Sequence, residues 1–518
     1  MAVNARGDRS PRPGPRFAIT FRTPPMRRAP IHLVAAAALL TAGVVPPAMA
    51  QAPQPPRKPV VANKTAPQAP QDGLETTPLD FELLGMRFRP PAGSVMRADG
   101  QGANAVWIVS ERAETPRYIL RVTRLVASEP TSSPARQIDA LIKSVSERPS
   151  PDTVFAVLDR EEFTLGDRPA ASLYTSLREG SGEDEVSAVQ GYFMVQIAPN
   201  EFVVISSLVA EQDFRGVRGL LDRSFRTIEI EDPTVVAAAR DARVQRGAAL
   251  LASLDEAALR KAMDAPGPGG APPTPHWFRM TRTLGDGTVR EEGYMTILAV
   301  EAEQGAANPD RSAKEWTAEE REKGLAVRVQ MRILGDERGT TMVDTDARYW
   351  MRWDRGREFW TVRTTARSGK TSKTSSQLGI RTEPSAGMPK PTLQVATVNL
   401  DVPAEEPKRW NIPTAYLSQA EALLLPRLLP RPDAPVDLGF YWFDARSGRM
   451  TQRMDRVRPS GAGFLLETRA TLEAPFLEQR CDAAGQVERR AADDGTVIEA
   501  IEPKALLELW QRKGLPTQ

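Results

Sequence analysis

A run dominated by proline and glycine at residues 265–275 divides this 518-residue chain into two β-rich stretches. Proline and glycine at this density interrupt regular structure, so the run is expected to be a domain boundary. Short runs rich in branched and aromatic residues lie on both sides of it, separated by turn residues, which is the pattern of antiparallel strands. A chain of this length can bury two or three hydrophobic cores. We therefore expect an α+β fold with two domains.

The stretch before the break mixes strands with helices. Apolar residues at helical spacing follow Ser133 and Pro134, which is a typical helix start, and residues 213–224 predict a second helix. Strands are predicted at residues 85–90, 105–109, 118–122, 162–165, 171–174, 190–195 and 202–206. This order predicts an antiparallel sheet with helices over residues 79–230.

Three short motifs mark the start, middle and end of this stretch. Residues 85–93 run Gly-Met-Arg-Phe-Arg-Pro-Pro-Ala-Gly, residues 166–170 run Gly-Asp-Arg-Pro-Ala, and the second helix leads into Phe-Arg-Thr-Ile at 225–228. Together with the strand at 202–206 they resemble the PsbP/DcrB-type domain of exported proteins. That resemblance implies a binding or assembly role and carries over no catalytic residues.

Residues 231–275 are expected to form a helical linker that ends in the proline and glycine run. Asp232 before Pro233 is typical of a helix start. Ser253 and Glu256 have the spacing of a capping box, which predicts a second, shorter helix.

The stretch after the break, residues 276–518, predicts a large curved antiparallel β-domain. Hairpin turns are predicted at Asp286-Gly287, Gly485 and Asp494-Gly495. Ser418 and Glu421 form a capping box that opens a leucine-rich helix, which Pro426 is expected to stop, and residues 503–513 predict a terminal helix. Strands are predicted at 277–284, 293–299, 326–333, 348–353, 358–364 and 392–400.

Many antiparallel strands with a few short helices are similar to the half-barrel of LolA/LolB-like periplasmic proteins. The similarity is one of architecture, without a specific motif. It implies that the β-domain binds a lipid or a lipidated partner.

The first fifty residues have the three parts of a cleavable export signal. Met26 is the better start, because Arg27 and Arg28 follow it, then an apolar run at 31–45 and an Ala-x-Ala site at 48–50. The run makes about 22 Å of helix, short of a hydrocarbon core of roughly 30 Å. We expect cleavage after Ala50 and a periplasmic or secreted protein without a membrane span.

Residues 51–78 are expected to be a disordered tether, since they are dominated by proline, glutamine and alanine and cannot bury much apolar surface. Residue 51 is glutamine, which lacks the thiol that a lipoprotein acylates. The mature protein is therefore expected to be free of lipid.

The charge of the chain changes sign when the signal is removed. Residues 1–50 contain seven arginines and one aspartate, so the total of +2 becomes −4 for the rest. Nucleic-acid binding needs a basic face or stripe, and this composition argues against it.

Two residue counts exclude common chemistries. Cys481 is the one cysteine, so an intramolecular disulfide is excluded, and a buried, inert thiol is expected. Once His32 is lost with the signal, His276 is the one histidine, which excludes a zinc helix and leaves any serine triad this single base. We expect a surface role for His276 and no cofactor.

Carboxylates offer two further hypotheses. Asp344 and Asp346, at i and i+2, share one face of a strand, where they could bind a hard cation or be a solvated edge. A hydrolase of envelope polymers would need two suitably placed acids, and no spacing in the chain points to such a pair.

Five aromatic residues are the candidate ligand site: Tyr349, Trp350, Trp353, Trp360 and Trp442. On alternating strands they would either line an apolar concavity or pack in the core. The leading hypothesis is an exported, non-enzymatic protein that binds an apolar ligand, a lipidated protein or an envelope component. The alternatives are a purely structural protein without a pocket and the carboxylate hydrolase. The oligomeric state stays open.

Overall fold

The structure is a computed structural model that describes residues 72–99, 105–113, 115–127, 132–146, 153–179, 186–284, 287–336, 339–384, 389–399, 406–492 and 495–516. The predicted export signal, with its cleavage site at Ala50, and most of the predicted tether lie outside these residues. Leu74 is buried at 2% exposure and bridges Pro91, so packed structure begins within the segment that we expected to be a tether.

The N-terminal region packs helices on both faces of an antiparallel sheet. Its elements are β1 (Leu79–Phe81), β2 (Met86–Phe88), β3 (Ser94–Asp99), β4 (Val106–Glu111), β5 (Tyr118–Val126), α1 (Pro134–Ser146), β6 (Thr153–Leu165), β7 (Arg168–Glu179), β8 (Val186–Ala198), β9 (Glu201–Ala210), α2 (Glu211–Phe225) and β10 (Glu229–Ile230). Strands β3–β9 form a seven-stranded sheet in the order β3-β4-β5-β9-β8-β7-β6, and β1, β2 and β10 form a small second sheet. The predicted helices are confirmed as α1 and α2.

Helix α1 buries one apolar side against the sheet. Ile138 is fully buried in a cluster with Leu173 and Met194, and Leu141 and Ile142 pack against it, as their helical spacing predicts. Helix α2 covers the opposite face, where Phe225 joins the larger core around Phe193. The two faces therefore bury separate cores.

The C-terminal region is dominated by one antiparallel sheet of fourteen strands. Its elements are α3 (Pro233–Ser253), α4 (Glu256–Lys261), β11 (His276–Thr283), β12 (Val289–Glu303), β13 (Lys323–Leu334), β14 (Thr341–Met351), β15 (Glu358–Ser368), β16 (Thr371–Thr382), β17 (Thr392–Asn399), β18 (Lys408–Asn411), α5 (Gln419–Leu428), β19 (Val436–Asp444), β20 (Arg449–Ser460), β21 (Gly463–Arg469), β22 (Leu477–Cys481), β23 (Val487–Ala491), β24 (Thr496–Ala500) and α6 (Pro503–Lys513). The large antiparallel sheet with few helices confirms that part of the fold prediction.

The strands run in the order β18-β17-β16-β15-β14-β13-β12-β11-β24-β23-β22-β21-β20-β19. Pairing of β11 with β24 therefore joins two meanders into one sheet. Gly287, Gly485 and Gly495 have φ of +81°, +77° and +83° and lie at hairpin turns, as predicted.

Helix α5 lies inside the curve of this sheet. Leu424 packs with residues of β12–β17, whereas Leu425 packs with residues of β19–β22. Both halves of the sheet thus bury apolar side chains against one helix. The edge strands also meet, because the rings of Trp410 in β18 and Phe443 in β19 are 5.3 Å apart.

Two predicted helix boundaries are wrong. Pro426 lies inside α5 and does not stop it, because the helix is buried on nearly every side and that packing outweighs one lost backbone hydrogen bond. Asp255, rather than Ser253, caps α4 by accepting the amide of Ala258. The capping box of Ser418 and Glu421 is confirmed.

The segment predicted as a linker packs against the C-terminal sheet. Helix α3 crosses β19 so closely that a Cβ added to Gly247 would lie 2.0 Å from the carbonyl oxygen of Gly439. The N-terminal region also contacts the C-terminal region directly, since the indole of Trp107 in β4 donates to the carbonyl of Glu473 at 2.9 Å. Division of the chain into two independent domains stays a prediction. None of the helices in the described ranges is long and apolar enough to cross a membrane.

Candidate functional site in the concave face of the C-terminal sheet

The structure brings together two of the five predicted aromatic residues. Tyr349 and Trp360 are directly opposite in β14 and β15, with ring centroids 6.3 Å apart, and both face α5. Trp442 lies in a separate cluster, where its indole donates to the carbonyl of Ala470 at 2.7 Å. All three are at most 2% exposed, so they pack as core.

Neither of the other two predicted residues stacks on this pair of rings, although Trp353 is partly buried against the same core. Trp350 follows Tyr349 on the opposite face of β14, where it is fully buried and donates to the carbonyl of Ala302 at 3.1 Å. Trp353 lies in the turn after β14, with the guanidinium of Arg260 stacked 4.2 Å from its ring. Alternation along the strand separates neighbours onto two faces, so the five residues do not line one cavity.

The two edges of the sheet enclose a small space that we call the edge cleft. Its volume is about 30 Å³, which is room for no more than a few water molecules. Phe443 forms one wall and lies 5.7 Å from the ring of Trp360 beneath it. The cleft is lined by Gln377, Val395, Thr397, Glu406, Lys408, Trp410, Phe443 and Gly448.

The buried carboxylate of Glu358, the first residue of β15, lies beside the start of α5. It is 1% exposed and accepts two hydrogen bonds, from the Tyr416 hydroxyl at 2.9 Å and from the Gln419 amide at 2.7 Å. Burial raises the pKa of Glu358 to about 7, although the Gln419 amide and the charge of Arg381 favour its ionised form. The residue therefore changes charge close to neutral pH.

Arg381 faces this carboxylate across the register of β15 and β16. Its guanidinium stacks 5.3 Å from the ring of Tyr416. Two of its nitrogens, Nε and Nη1, are buried and have no hydrogen-bond partner in the described parts of the chain. The interior around Arg381 is thus tightly packed, but two of its buried nitrogens lack a hydrogen-bond acceptor among the described residues.

A second carboxylate, Glu421, completes the attachment of α5. It is fully buried, forms an ion pair with Arg355 and accepts the Ser418 amide at 2.9 Å. Arg355 also donates to the carbonyl of Leu251 in α3 at 2.6 Å and has φ of +63°, which is unfavourable for a side chain with a Cβ. These contacts hold the turn, α3 and α5 together.

The carboxylates of the predicted cation site form ion pairs. Asp344 accepts from Arg332 at 2.6 Å, and Asp346 accepts from Arg328 and Arg348 at 2.9 Å each. These arginines occupy the oxygens that a hard cation would need. Across the ranges that the structure describes, no group of three or more His, Cys, Asp or Glu side chains could hold a metal.

His276 lies at the start of β11 beside a buried aspartate. Its Nε2 is 2.8 Å from Asp264, which also accepts from Arg427 at 2.8 Å and from the Ala299 amide at 2.7 Å. Burial opposes ionisation of Asp264, but these bonds and the charge of Arg427 outweigh it and lower its pKa. Asp264 therefore ties α5 and the segment after α4 to β12.

Sequence reasoning missed Glu358, Arg381, Tyr416 and Trp410 as members of this site. Period-two alternation could have found Glu358, because it shares a face with Trp360 two residues along β15. Arg381 and Trp410 come to the site through strand pairing, and Tyr416 comes to it through the turn before α5. No local pattern in the sequence indicates either.

Comparison with protein-family models finds no match. Comparison with curated proteins also finds no match. Among solved structures, cyanobacterial PsbP (CyanoP) from Synechocystis sp. PCC 6803 is similar over 32% of this chain and 98% of that chain, with 11% identity and a TM-score of 0.25.

Two further structures are similar over smaller parts. One, from Bacteroides thetaiotaomicron VPI-5482, covers 28% of this chain and 45% of that chain at 9% identity, with a TM-score of 0.20. The other, PA94 of unknown function from Pseudomonas aeruginosa, is similar over 26% of this chain and 97% of that chain, with 11% identity and a TM-score of 0.20. At these TM-scores no similarity carries an argument about function, and the resemblance to LolA/LolB stays a prediction.

Proposed function

We propose that this chain is an exported, non-enzymatic interaction protein that assembles with a component of the cell envelope. In this proposal a PsbP/DcrB-like domain over residues 79–230 and a β-domain over residues 276–518 are joined by the helical segment 231–275. The partner contacts the outer surfaces of these domains, and the inside of the β-domain serves as a core.

The observation that carries the proposal is the filled concave face of the C-terminal sheet. Every residue of α5 except Arg427 is buried, and the rings of Tyr349 and Trp360 lie against the same core. A site for a lipid-sized ligand needs about 300–1,000 Å³. The edge cleft holds about 30 Å³. A second space of about 410 Å³ lies outside the edge cleft, beside Trp353, and is a depression open to solvent, lined by Leu254, Asp255, Glu256, Arg352, Trp353 and Asp354. The packing therefore favours an interaction role over a carrier role of the LolA/LolB kind.

The buried carboxylates favour the same conclusion over a hydrolase. Glu358 and Glu421 are both buried near the start of α5, which would be the arrangement of an acid pair. Each, however, accepts hydrogen bonds from the chain itself, Glu358 from Tyr416 and Glu421 from Ser418. Carboxylates committed to anchoring a helix are poorly placed to act on an extended polymer.

Lipid extraction and a neutral apolar dye test the filled interior. Protein purified from its native envelope should release no stoichiometric lipid into organic solvent, and N-phenyl-1-naphthylamine should show no saturable fluorescence increase. The Trp360→Ala variant probed with benzene is the positive control, because removal of this buried ring leaves a cavity that a single-ring ligand can enter. Stoichiometric lipid or dye binding by the unaltered protein would establish the carrier role instead.

Photo-crosslinking tests the interaction itself. A crosslinking amino acid replaces, one at a time, residues that are 39–60% exposed: Val126, Leu208 or Val235. The same amino acid at Leu424, which is 1% exposed, is the control for background labelling. We expect a discrete envelope protein to be crosslinked from at least one surface position in living cells. Identical patterns from surface and core positions would contradict the proposal.

A further inference from the structure

A row of polar side chains crosses the concave face of β20, β21 and β22. Arg453 donates to both oxygens of Asp455 at 2.8 and 2.9 Å, and the Thr468 hydroxyl donates to the same carboxylate at 2.6 Å. Gln479 extends the row by donating to the Thr468 oxygen at 3.1 Å. Each of the four is at most 7% exposed. The row is therefore a satisfied buried network.

Arg490 of β23 continues this row but makes none of its contacts. It is 7% exposed and lies between Gln479 and Ile498 in the register of the sheet. Its Nε is buried without an acceptor. In the part of the chain that the structure describes, no hydrogen bond and no ion pair is made to Arg490.

The neighbours of Arg490 cannot balance its charge. Asp455 is already bound by Arg453 and Thr468. The Cys481 thiol lies nearby, but burial raises its pKa to about 12, so it stays neutral. Burial and the charge of Arg453 lower the pKa of Arg490 to about 10, which leaves the guanidinium charged at neutral pH. This part of the interior therefore holds one positive charge in excess.

A buried guanidinium without a counterion is strongly unfavourable, since a charge is retained inside a protein when it is paired. We propose that Arg490 is a binding site for an oxyanion, a carboxylate or a phosphate group, which supplies the missing counterion on the concave face. The planar fork of an arginine fits two oxygens of such a group. Arg490 is 7% exposed, and of its nitrogens only Nε is among the described buried atoms without a partner, so an anion approaches the terminal nitrogens from the solvent side of the filled interior.

The site goes beyond the proposed interaction role. An oxyanion on a small molecule, a lipid headgroup or a partner's side chain would present the same chemistry to Arg490. If no oxyanion binds, the filled interior around α5 and the surface contacts that it favours are unaffected. The two proposals therefore fail separately.

Isothermal titration of the full chain with inorganic phosphate, and separately with sodium acetate, at constant ionic strength tests the site. We expect saturable one-to-one binding of at least one anion, and at least a tenfold weaker association constant in Arg490→Gln. Arg489→Gln is the matched control, because this neighbouring arginine is exposed on the opposite face of β23 and loses the same charge. It should bind as the unaltered protein does.

Thermal unfolding without added anion gives a second readout. Because Arg490→Gln removes an unpaired buried charge, its midpoint should be higher than that of the unaltered protein by a few degrees, whereas Arg489→Gln should not change it. If Arg490→Gln fails to fold, Arg490→Lys keeps the charge without the fork and should bind more weakly. Absence of saturable binding of both anions, or equal binding by Arg490→Gln, would overturn the proposal.

Discussion

The carboxylate of Glu358 accepts the hydroxyl of Tyr416 at 2.9 Å inside the C-terminal sheet, at the point where the chain turns into α5. One oxygen of this carboxylate accepts the Tyr416 hydroxyl, and the other accepts the backbone amide of Gln419, the first residue of α5. Its protonation state is therefore coupled to the packing of the helix that fills the interior.

Replacement of Glu358 by glutamine should raise stability at pH 8 and change little at pH 4.5. The folded pKa of about 7 lies above the ordinary value of 4.5, so the neutral form is favoured by folding and its contribution is lost as pH rises from 4.5 to 7. The difference between these two pKa values corresponds to about 3 kcal/mol in the free energy of unfolding. Urea unfolding at both pH values measures it.

Glutamine is a good replica of the neutral acid, because its amide can donate to Tyr416 while its oxygen accepts the Gln419 amide. Glu478→Gln is the control, since Glu478 is exposed on the convex face of β22. A parallel pH dependence in Glu358→Gln and the unaltered protein would contradict the raised pKa.

Replacement of Asp264 by asparagine should have the opposite pH dependence. The pKa of Asp264 is lowered in the folded chain, so its ionised form contributes stability above its usual range, and that contribution is lost as pH falls through the folded pKa. We expect Asp264→Asn to cost about 1–3 kcal/mol at pH 7, because Arg427 and His276 lose a charged acceptor, and less at pH 3. Asp433→Asn, at an exposed position, should cost little at either pH when both are followed by chemical denaturation.

Removal of the Trp360 ring should destabilise the chain by about 3–5 kcal/mol, as for other large buried rings. Trp360 is 1% exposed and lies so close to β16 that a Cβ added to Gly379 would be 2.0 Å from its Cε2. Leu507→Ala, at a residue that is 40% exposed on α6, should cost less than about 0.5 kcal/mol. Equal losses in the two variants, measured by urea unfolding, would show that the interior is loosely packed.

Export is tested by sequencing the N-terminus of the mature protein, which should begin at Gln51. Signal cleavage requires small residues around the site, so Ala48→Arg should leave the precursor uncleaved. Ala62→Arg, a change of the same kind beyond the cleavage site, is the control. A mature protein that begins before Gln51 would contradict the predicted cleavage.

Local signals predicted the helices well and the site poorly. The helix starts at Pro134, Pro233 and Ser418 were predictable because a cap acts within one turn of helix. The pairing of β11 with β24 joins residues more than two hundred positions apart, and no local pattern encodes it. This pairing decides that one sheet surrounds α5.

Burial explains the remaining errors. Proline at 426 predicts a helix end because it removes one backbone donor, yet α5 continues through it since the surrounding leucines are buried by both halves of the sheet. The aromatic residues at 349, 350 and 360 were recognised as a group, but strand alternation places Trp350 on the opposite face from the other two. Composition predicts which residues are buried, whereas the register decides what they contact.

The junction between the two regions rests on Glu82. This buried carboxylate forms an ion pair with Arg243 of α3 and lies 3.6 Å from Arg469 of β21, while Arg469 donates to the carbonyl of Asp80 at 3.1 Å. Arg469 is 2% exposed, and burial lowers its pKa, so it depends on nearby carboxylates to stay charged. The junction is therefore a buried ion network and not a surface contact.

Replacement of Glu82 by glutamine should cost about 3–5 kcal/mol, because two buried guanidinium groups lose a charged partner. Since this network links the N-terminal region to α3 and the C-terminal sheet, calorimetry should also resolve two thermal transitions where the unaltered protein shows one. Glu229→Gln is the matched control: Glu229 pairs with Arg87 at 2.6 Å but is 62% exposed, and such surface pairs contribute less than about 1 kcal/mol. A single transition in Glu82→Gln at the midpoint of the control would mean that packing of α3 on β19, rather than the ion network, couples the two regions.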